Sequence, residues 1–160
     1  MYKIGCEKRM KICFTASSGG HFEQIMMLKP LMDKYDSFIV TEKTNYLVSN
    51  DKQNFYYLKQ VNRHELKFIY YMIYNTLKTI IIFLKEKPDI VISTGALATI
   101  PMCIVAKLFR RKIIFIESFA KINSPTLTGK LLYKFADKFF VQWESMKEFY
   151  PNAICKGGIY

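Results

Sequence analysis

Short runs of β-branched and aromatic residues alternate along this chain with longer stretches whose apolar positions recur at helical spacing. The runs predict strands at Lys11–Ala16, Ser37–Thr41, Phe55–Leu58, Asp89–Ser93, Lys112–Glu117 and Lys138–Gln142, with a last short one near Asn152–Cys155. Between them, His21–Lys34 reads as a helix with Phe22, Ile25, Met26, Leu28 and Met32 on its inner stripe, kinked or ended by Pro30. Ala96–Phe109 reads as a second crossover helix, with Pro101 in its first turns, and Leu127–Ala136 as a third. Such alternation specifies parallel strands joined by crossover helices, so the expected fold is α/β, a Rossmann-like doubly wound parallel sheet.

One helical segment departs from the pattern. Glu65–Lys87 contains the stretch Leu66–Lys85, apolar almost all round, interrupted by Lys67 and Lys78 and carrying Tyr70, Tyr71 and Tyr74 toward its first half. Its length approaches the roughly 20 residues that cross a bilayer. A spanning helix would nevertheless split a β–α–β unit, because the next strand must return to the same sheet. A crossover helix of this kind buries one face on the sheet and keeps an excess apolar face. Contact with a membrane surface, a partner-protein interface and a fully buried core helix all fit that excess. For the membrane reading, Lys67, Phe68, Tyr70, Tyr71, Tyr74 and Lys78 are the expected contacts, since tyrosine rings and lysine stems suit the head-group boundary.

Composition narrows the classes. At 160 residues the chain has the size of one domain, and 51% hydrophobic residues exclude a disordered or fibrous protein. Residues 1–9 carry charges and no apolar core, unlike a signal peptide, and are expected to be an extension ahead of a domain spanning 10–160. Lys and Arg outnumber Asp and Glu by 24 to 13, a formal charge of +11, which favours a polyanionic partner such as acidic lipid or a phosphorylated substrate. Nucleic acid is disfavoured, because the basic residues are dispersed among apolar segments and no zinc spacing, RNA-binding aromatic signature or basic helix is present. Cys6, Cys13, Cys103 and Cys155 are far apart, which suggests reduced thiols rather than a disulfide framework or metal site.

Three stretches carry candidate chemistry. In Thr15-Ala16-Ser17-Ser18-Gly19-Gly20-His21, two glycines follow a strand and open a helix. Backbone N–H groups at Gly19 and Gly20, with the Ser17 and Ser18 hydroxyls, suit an anion at the carboxyl edge of the sheet; an ordinary tight turn fits the same residues. His21 is placed to accept a proton as a neutral imidazole or to serve as a cap. The second stretch, Ser93 to Pro101, repeats the design with Thr94 and Gly95. The third places Glu117 and Ser118 at the same edge, followed by a loop into a helix bearing Lys130. Glu117 is either a ligand contact or a loop-ordering carboxylate, and Thr126 or Thr128 is the expected helix cap.

In order and spacing, Ser18-Gly19-Gly20-His21, Lys87-Pro88-Asp89 with Ser93-Thr94-Gly95, Glu117-Ser118-Phe119-Ala120, Leu127-Thr128-Gly129-Lys130, Ala136-Asp137, Val141-Gln142-Trp143 and Tyr150-Pro151 form a set. The set resembles the membrane-associated subunit family of the two-component N-acetylglucosaminyltransferase of dolichol-linked oligosaccharide assembly. Its bacterial capsule and exopolysaccharide relatives, the PssD/CpsF-type subunits, look nearest. The resemblance implies the N-terminal half of a GT-B glycosyltransferase, whose C-terminal half, on a separate chain, holds the nucleotide-sugar. It further implies a polyprenyl-diphosphate-linked acceptor, a UDP-sugar bound through the partner, no cofactor or metal, and a peripheral place at the cytoplasmic face of the cell membrane.

The expected function is therefore an acceptor-binding glycosyltransferase subunit. His21 is the candidate base or positioning donor and Glu117 the alternative base. Two other classes fit less of the sequence: a non-catalytic subunit that recruits or activates its partner, and a stand-alone nucleotide-binding enzyme.

Overall fold

The computed structural model describes residues 9–43, 54–62 and 66–160, so the expected extension at 1–9 lies, apart from Arg9, outside the described residues. The strands are β1 (Lys11–Ala16), β2 (Asp36–Glu42), β3 (Asn54–Leu58), β4 (Ile90–Gly95), β5 (Lys112–Ile116), β6 (Lys138–Val141) and β7 (Ile154–Cys155). They form one parallel sheet in the order β3-β2-β1-β4-β5-β6-β7. The chain winds outward from β1 to β3, then returns to lay β4 on the other side of β1 and winds the opposite way. This is the doubly wound arrangement the alternation predicts, and it puts a topological switch point between β1 and β4.

The helices are α1 (Gly20–Met26), α2 (Lys29–Lys34), α3 (Phe68–Glu86), α4 (Ile100–Leu108) and α5 (Leu127–Leu132). The single helix expected over His21–Lys34 is two helices, because Pro30 has no N–H to donate within a helix but fits the first turn of a new one. Pro101 acts in the same way. A 3₁₀ turn at Leu97–Thr99 precedes α4, and Pro101 occupies the first turn of α4. Helix α3 stops where Lys87 turns left-handed at φ 49° and donates its N–H to Phe83 O, immediately before Pro88.

Two cores result. On one sheet face, Ile12, Phe14, Ile39 and Ile92 pack with Ile25 and Met32 of the short α1–α2 pair. On the other, Cys13, Phe38, Val91, Ile113 and Phe115 pack with residues of α3, α4 and α5. Cys13, Cys103 and Cys155 are free thiols, and burial pushes the Cys103 thiol up to about 12, which keeps it protonated and inert.

At the amino edge of the sheet two aspartates brace neighbouring strands. Asp89 accepts from Lys11 N and pairs with Arg111. Asp137 accepts from Ile113 N and Lys112 Nζ; burial acts to raise its pKa, but these donors outweigh it and hold the carboxyl below the usual range.

Candidate functional site

Strand β1 delivers Ser17 to Gly20 to the carboxyl edge beside the residues that follow β4. Gly19 adopts φ 74°, which lets its carbonyl accept from both Phe22 N (2.8 Å) and Glu23 N (3.0 Å) and start α1. Gly95 adopts φ 109°, and a Cβ there would press on the His21 ring at 3.4 Å. The two turns are joined directly. His21 Nδ1 lies 2.7 Å from Thr94 O, and Thr94 Oγ1 donates to His21 O at 2.8 Å. A carbonyl oxygen only accepts, so Nδ1 carries the hydrogen, and in the neutral imidazole the lone pair is on Nε2. Ala96, at φ 73° and ψ 162°, holds a conformation rare outside glycine.

His21 lines a cleft of about 510 Å³ together with Ala96, Leu97, the residues Thr126 to Thr128, and Gln60 to Asn62. Sequence reasoning singled out His21 and the loop leading into α5, and missed Gln60, Val61 and Asn62. The signal was available, since any residue just after a parallel strand falls on the same edge, and these follow β3.

The other expected ligand groups are placed differently. Ser17 Oγ donates to Ser18 O and is buried, while Ser18 directs its N–H and hydroxyl toward Glu42 Oε2. Their hydroxyls serve the turn rather than the cleft, because Glu42 is a nearer acceptor and also takes Val61 N. Gly20 and Ser118 line a separate groove of about 350 Å³ with Gln24, Phe119 and Tyr160. Lys130 is exposed on α5 and does not line the cleft.

Glu117 is corrected as a candidate base. It is 1% exposed, and its carboxylate accepts from Ser118 N (2.9 Å), Thr126 Oγ1 (2.9 Å), Thr126 N (3.3 Å) and Tyr150 OH (2.8 Å). A carboxylate so fully engaged orders a loop; it has no open face toward an acceptor hydroxyl. Burial, and secondly the carboxylate beside it, push the Tyr150 hydroxyl far above its ordinary pKa, so it remains a donor. Thr126 Oγ1 in turn accepts from Gly129 N at 2.8 Å and caps α5, as expected. The Glu117 carbonyl takes Gln24 Nε2 and Gln142 Nε2, and Trp143 Nε1 donates to Phe119 O at 2.7 Å. The loop from Ser118 to Thr126 is thus bolted to the wall of the cleft from four directions.

A family model described as "Oligosaccharide biosynthesis protein Alg14 like" matches residues 53–159. The chain belongs to the Alg14-like family. Among curated relatives, the UDP-N-acetylglucosamine transferase subunit ALG14 of Rattus norvegicus is 27% identical over 125 residues, covering 74% of this chain and 56% of the relative. The subunit of the same name from Saccharomyces cerevisiae is 25% identical over 178 residues, covering 90% of this chain and 74% of the relative. The chain spans about half the length of the rat and mouse relatives it matches. The Alg14-like fold also resembles solved structures: MurG of Acinetobacter baumannii (TM-score 0.67, 16% identity, 82% of this chain and 41% of that one) and the UDP-N-acetylglucosamine 2-epimerase of Rickettsia bellii (TM-score 0.70, 14% identity, 94% and 45%). At those identities the likeness carries the fold alone, and it covers less than half of each neighbour.

The motifs behind the resemblance separate, in this Alg14-like chain, into two groups. Asp89 and Asp137 brace the amino edge, whereas Gln142, Trp143 and Tyr150 hold the loop after Glu117. Of those motifs, the first brings His21 to the cleft and Leu127-Thr128-Gly129-Lys130 brings Leu127 and Thr128.

Helix α3 carries the excess apolar face. Leu66 just before it, then Ile69, Tyr70, Ile73, Leu77, Ile81 and Leu84, are exposed along one side, and Ile104 and Leu108 of α4 are exposed too, with Phe109 just after α4 in contact with Phe83. Of the expected membrane contacts, Lys67, Tyr70 and Tyr74 are exposed, whereas Phe68, Tyr71 and Lys78 are half-buried. Tyr71 and Lys78, seven apart and so nearly in line on a helix of 3.6 residues per turn, lie roughly opposite Ile69 and Ile73 and line a cavity beside the end of β3 instead of the stripe. Among the described residues no helix is long and apolar enough to cross a membrane.

Proposed function

We propose that this chain is the acceptor-side subunit of a two-component glycosyltransferase, moving a sugar from a UDP-sugar held by a separate donor-binding chain to a polyprenyl-diphosphate-linked acceptor. The observation that carries the reading is the clamp between His21 and Thr94. It joins the two glycine turns at the switch point and leaves Nε2 as the free nitrogen of a residue lining the cleft. Family membership supports the reading, because the relatives' names are those of UDP-N-acetylglucosamine transferase subunits. The capsular or exopolysaccharide setting rests on the motif resemblance to PssD/CpsF-type subunits.

In the proposed step the acceptor hydroxyl oxygen attacks the anomeric carbon of the donor. The new C–O bond forms as the bond to UDP breaks, the electron pair leaves with UDP, and the hydroxyl proton passes to His21 Nε2. The test is reconstitution of this chain with the donor-binding chain, assayed with several UDP-sugars and a prenyl-diphosphate acceptor. Turnover is expected from the pair and from neither chain alone. Turnover by this chain alone would establish a stand-alone enzyme, and a stable pair inactive with every donor would leave only recruitment.

The exposed stripe on α3 and α4 is proposed to lie on the cytoplasmic membrane surface, with the formal charge of +11 drawing the chain to anionic lipid. Co-sedimentation with anionic liposomes is expected at low salt and weaker binding at high salt, as screening shortens the reach of surface charge. Ile73→Glu combined with Leu77→Glu should lower the partitioning by about tenfold or more, since a single fully buried aliphatic side chain contributes roughly 1.5–3 kcal/mol. Undiminished binding by that variant would remove α3 from the contact.

A further inference from the structure

Beside the His21 cleft lies a second, larger cavity of about 840 Å³, and Gln60 lines both. Its walls come from three elements. Lys43 follows β2, Tyr57 belongs to β3 and Lys59 follows it, and Tyr71, Tyr74 and Lys78 belong to α3. Among the described residues no carboxylate lines it, and none of its three lysines is held in an ion pair. Among the described residues, three other lysines are held in ion pairs: Lys11 with Glu86, Lys112 with Asp137 and Lys147 with Glu144.

The cavity is also organised. Asn75, 0% exposed, accepts from Lys59 N at 2.9 Å and donates to Lys59 O at 2.8 Å, spending its buried amide on fixing that residue's backbone. From there the Lys59 ammonium is over the rings of Tyr74 (4.7 Å), Tyr71 (5.2 Å) and Tyr70 (5.6 Å), and Lys78 approaches Tyr74 at 5.9 Å. Cation–π contacts hold an ammonium without neutralising it. Three unneutralised ammonium groups in one concavity suit a multiply charged anion, and as point charges they suit phosphate oxygens without demanding a planar partner.

We infer that Lys43, Lys59 and Lys78 form the site for the diphosphate of the lipid-linked acceptor, its hydrocarbon leaving over Tyr70 and Tyr74 onto the apolar stripe of α3. This rests on the acceptor-side reading above. The position fits both ends of such a molecule: Gln60 connects the cavity to the His21 cleft, where the reacting sugar belongs, and Tyr74 borders both the lysines and the stripe. A free phosphate or pyrophosphate offers the same oxygens but leaves the stripe unused.

The test is calorimetric titration of the purified chain with geranylgeranyl diphosphate, inorganic pyrophosphate and geranylgeraniol. The prenyl diphosphate is expected to bind more tightly than either of the others. Lys59→Ala combined with Lys78→Ala should weaken it by about tenfold or more, as loss of charge-assisted contacts to phosphate does, with the folded state verified by circular dichroism. Lys29→Ala, on α2 across the sheet, should bind as the unaltered chain does. Unaltered affinity in the double variant would overturn the lysine site and leave the acceptor-side reading standing. Equal affinity for pyrophosphate would overturn the lipid-linked source. No binding of the prenyl diphosphate by the unaltered chain would overturn the acceptor-side reading itself.

Discussion

Replacing His21 by Ala should lower the transfer rate of the reconstituted pair by about 10²–10⁴-fold, the usual contribution of a positioned general base. The fold should survive, because half of the clamp is main chain: Thr94 Oγ1 donates to His21 O whatever side chain occupies position 21. The loss to the fold is the bond from Nδ1 to Thr94 O, worth about 1 kcal/mol. Stability and rate therefore separate, and a parallel unfolding curve checks that they do.

The companion variant His21→Asn distinguishes moving a proton from holding a position. An Asn amide can still donate to Thr94 O, but it has no basic nitrogen. If His21 takes the acceptor proton, Asn is as poor as Ala in kcat. If it only orders the turn, Asn restores most of the rate, and the proton goes elsewhere. Partner binding measured on both variants shows whether either loss comes from docking instead.

That His21 and Thr94 belong to one site is legible in the amino-acid sequence, because both follow strands of a parallel sheet and must emerge on its carboxyl edge. The limits of β1 are legible for a similar reason, since the apolar run at 11–16 is bounded by turn residues. The fate of Glu117 is not. Its partners Thr126 and Tyr150, and the Gln24 and Gln142 that hold its carbonyl, come from four separated segments. A single strand-end carboxylate looks the same in a sequence whether four donors bury it or solvent reaches it. The stripe on α3 is half legible: length and hydropathy identify the helix, but the face toward the sheet depends on where β3 and α4 pack. That packing exposes Ile73, Leu77 and Ile81 and turns Tyr71 and Lys78 inward, where the second cavity forms. The cavity itself has no signature, because Lys43, Lys59 and Lys78 converge only through the β2–β3 pairing and the Asn75 bracket.

Glu117→Ala should be the most destabilising single change in this domain, costing about 3–5 kcal/mol and threatening expression of the folded chain. Four donors point at the carboxylate, and Ala leaves Ser118 N, Thr126 N and the Tyr150 hydroxyl without their acceptor in a site 1% exposed. Glu117→Gln is milder, about 1–3 kcal/mol, since one oxygen remains while the new amide must face either Ser118 N or Thr126 N, donor against donor. Tyr150→Phe removes one donor and no acceptor, so alone it should cost only about 1 kcal/mol. Combined with Glu117→Ala it should cost less than the sum, because the bond both changes remove is counted once. Gly129 tests the same network from the opposite side: a Cβ there would collide with Glu117 Oε2 and the Tyr150 hydroxyl, so Gly129→Ala should displace the carboxylate and weaken the fold. Denaturant unfolding of these variants measures the series. If Glu117→Ala unfolds at the same midpoint as the unaltered chain, the carboxylate is not what orders the loop from Ser118 to Thr126, and its candidacy as a base reopens.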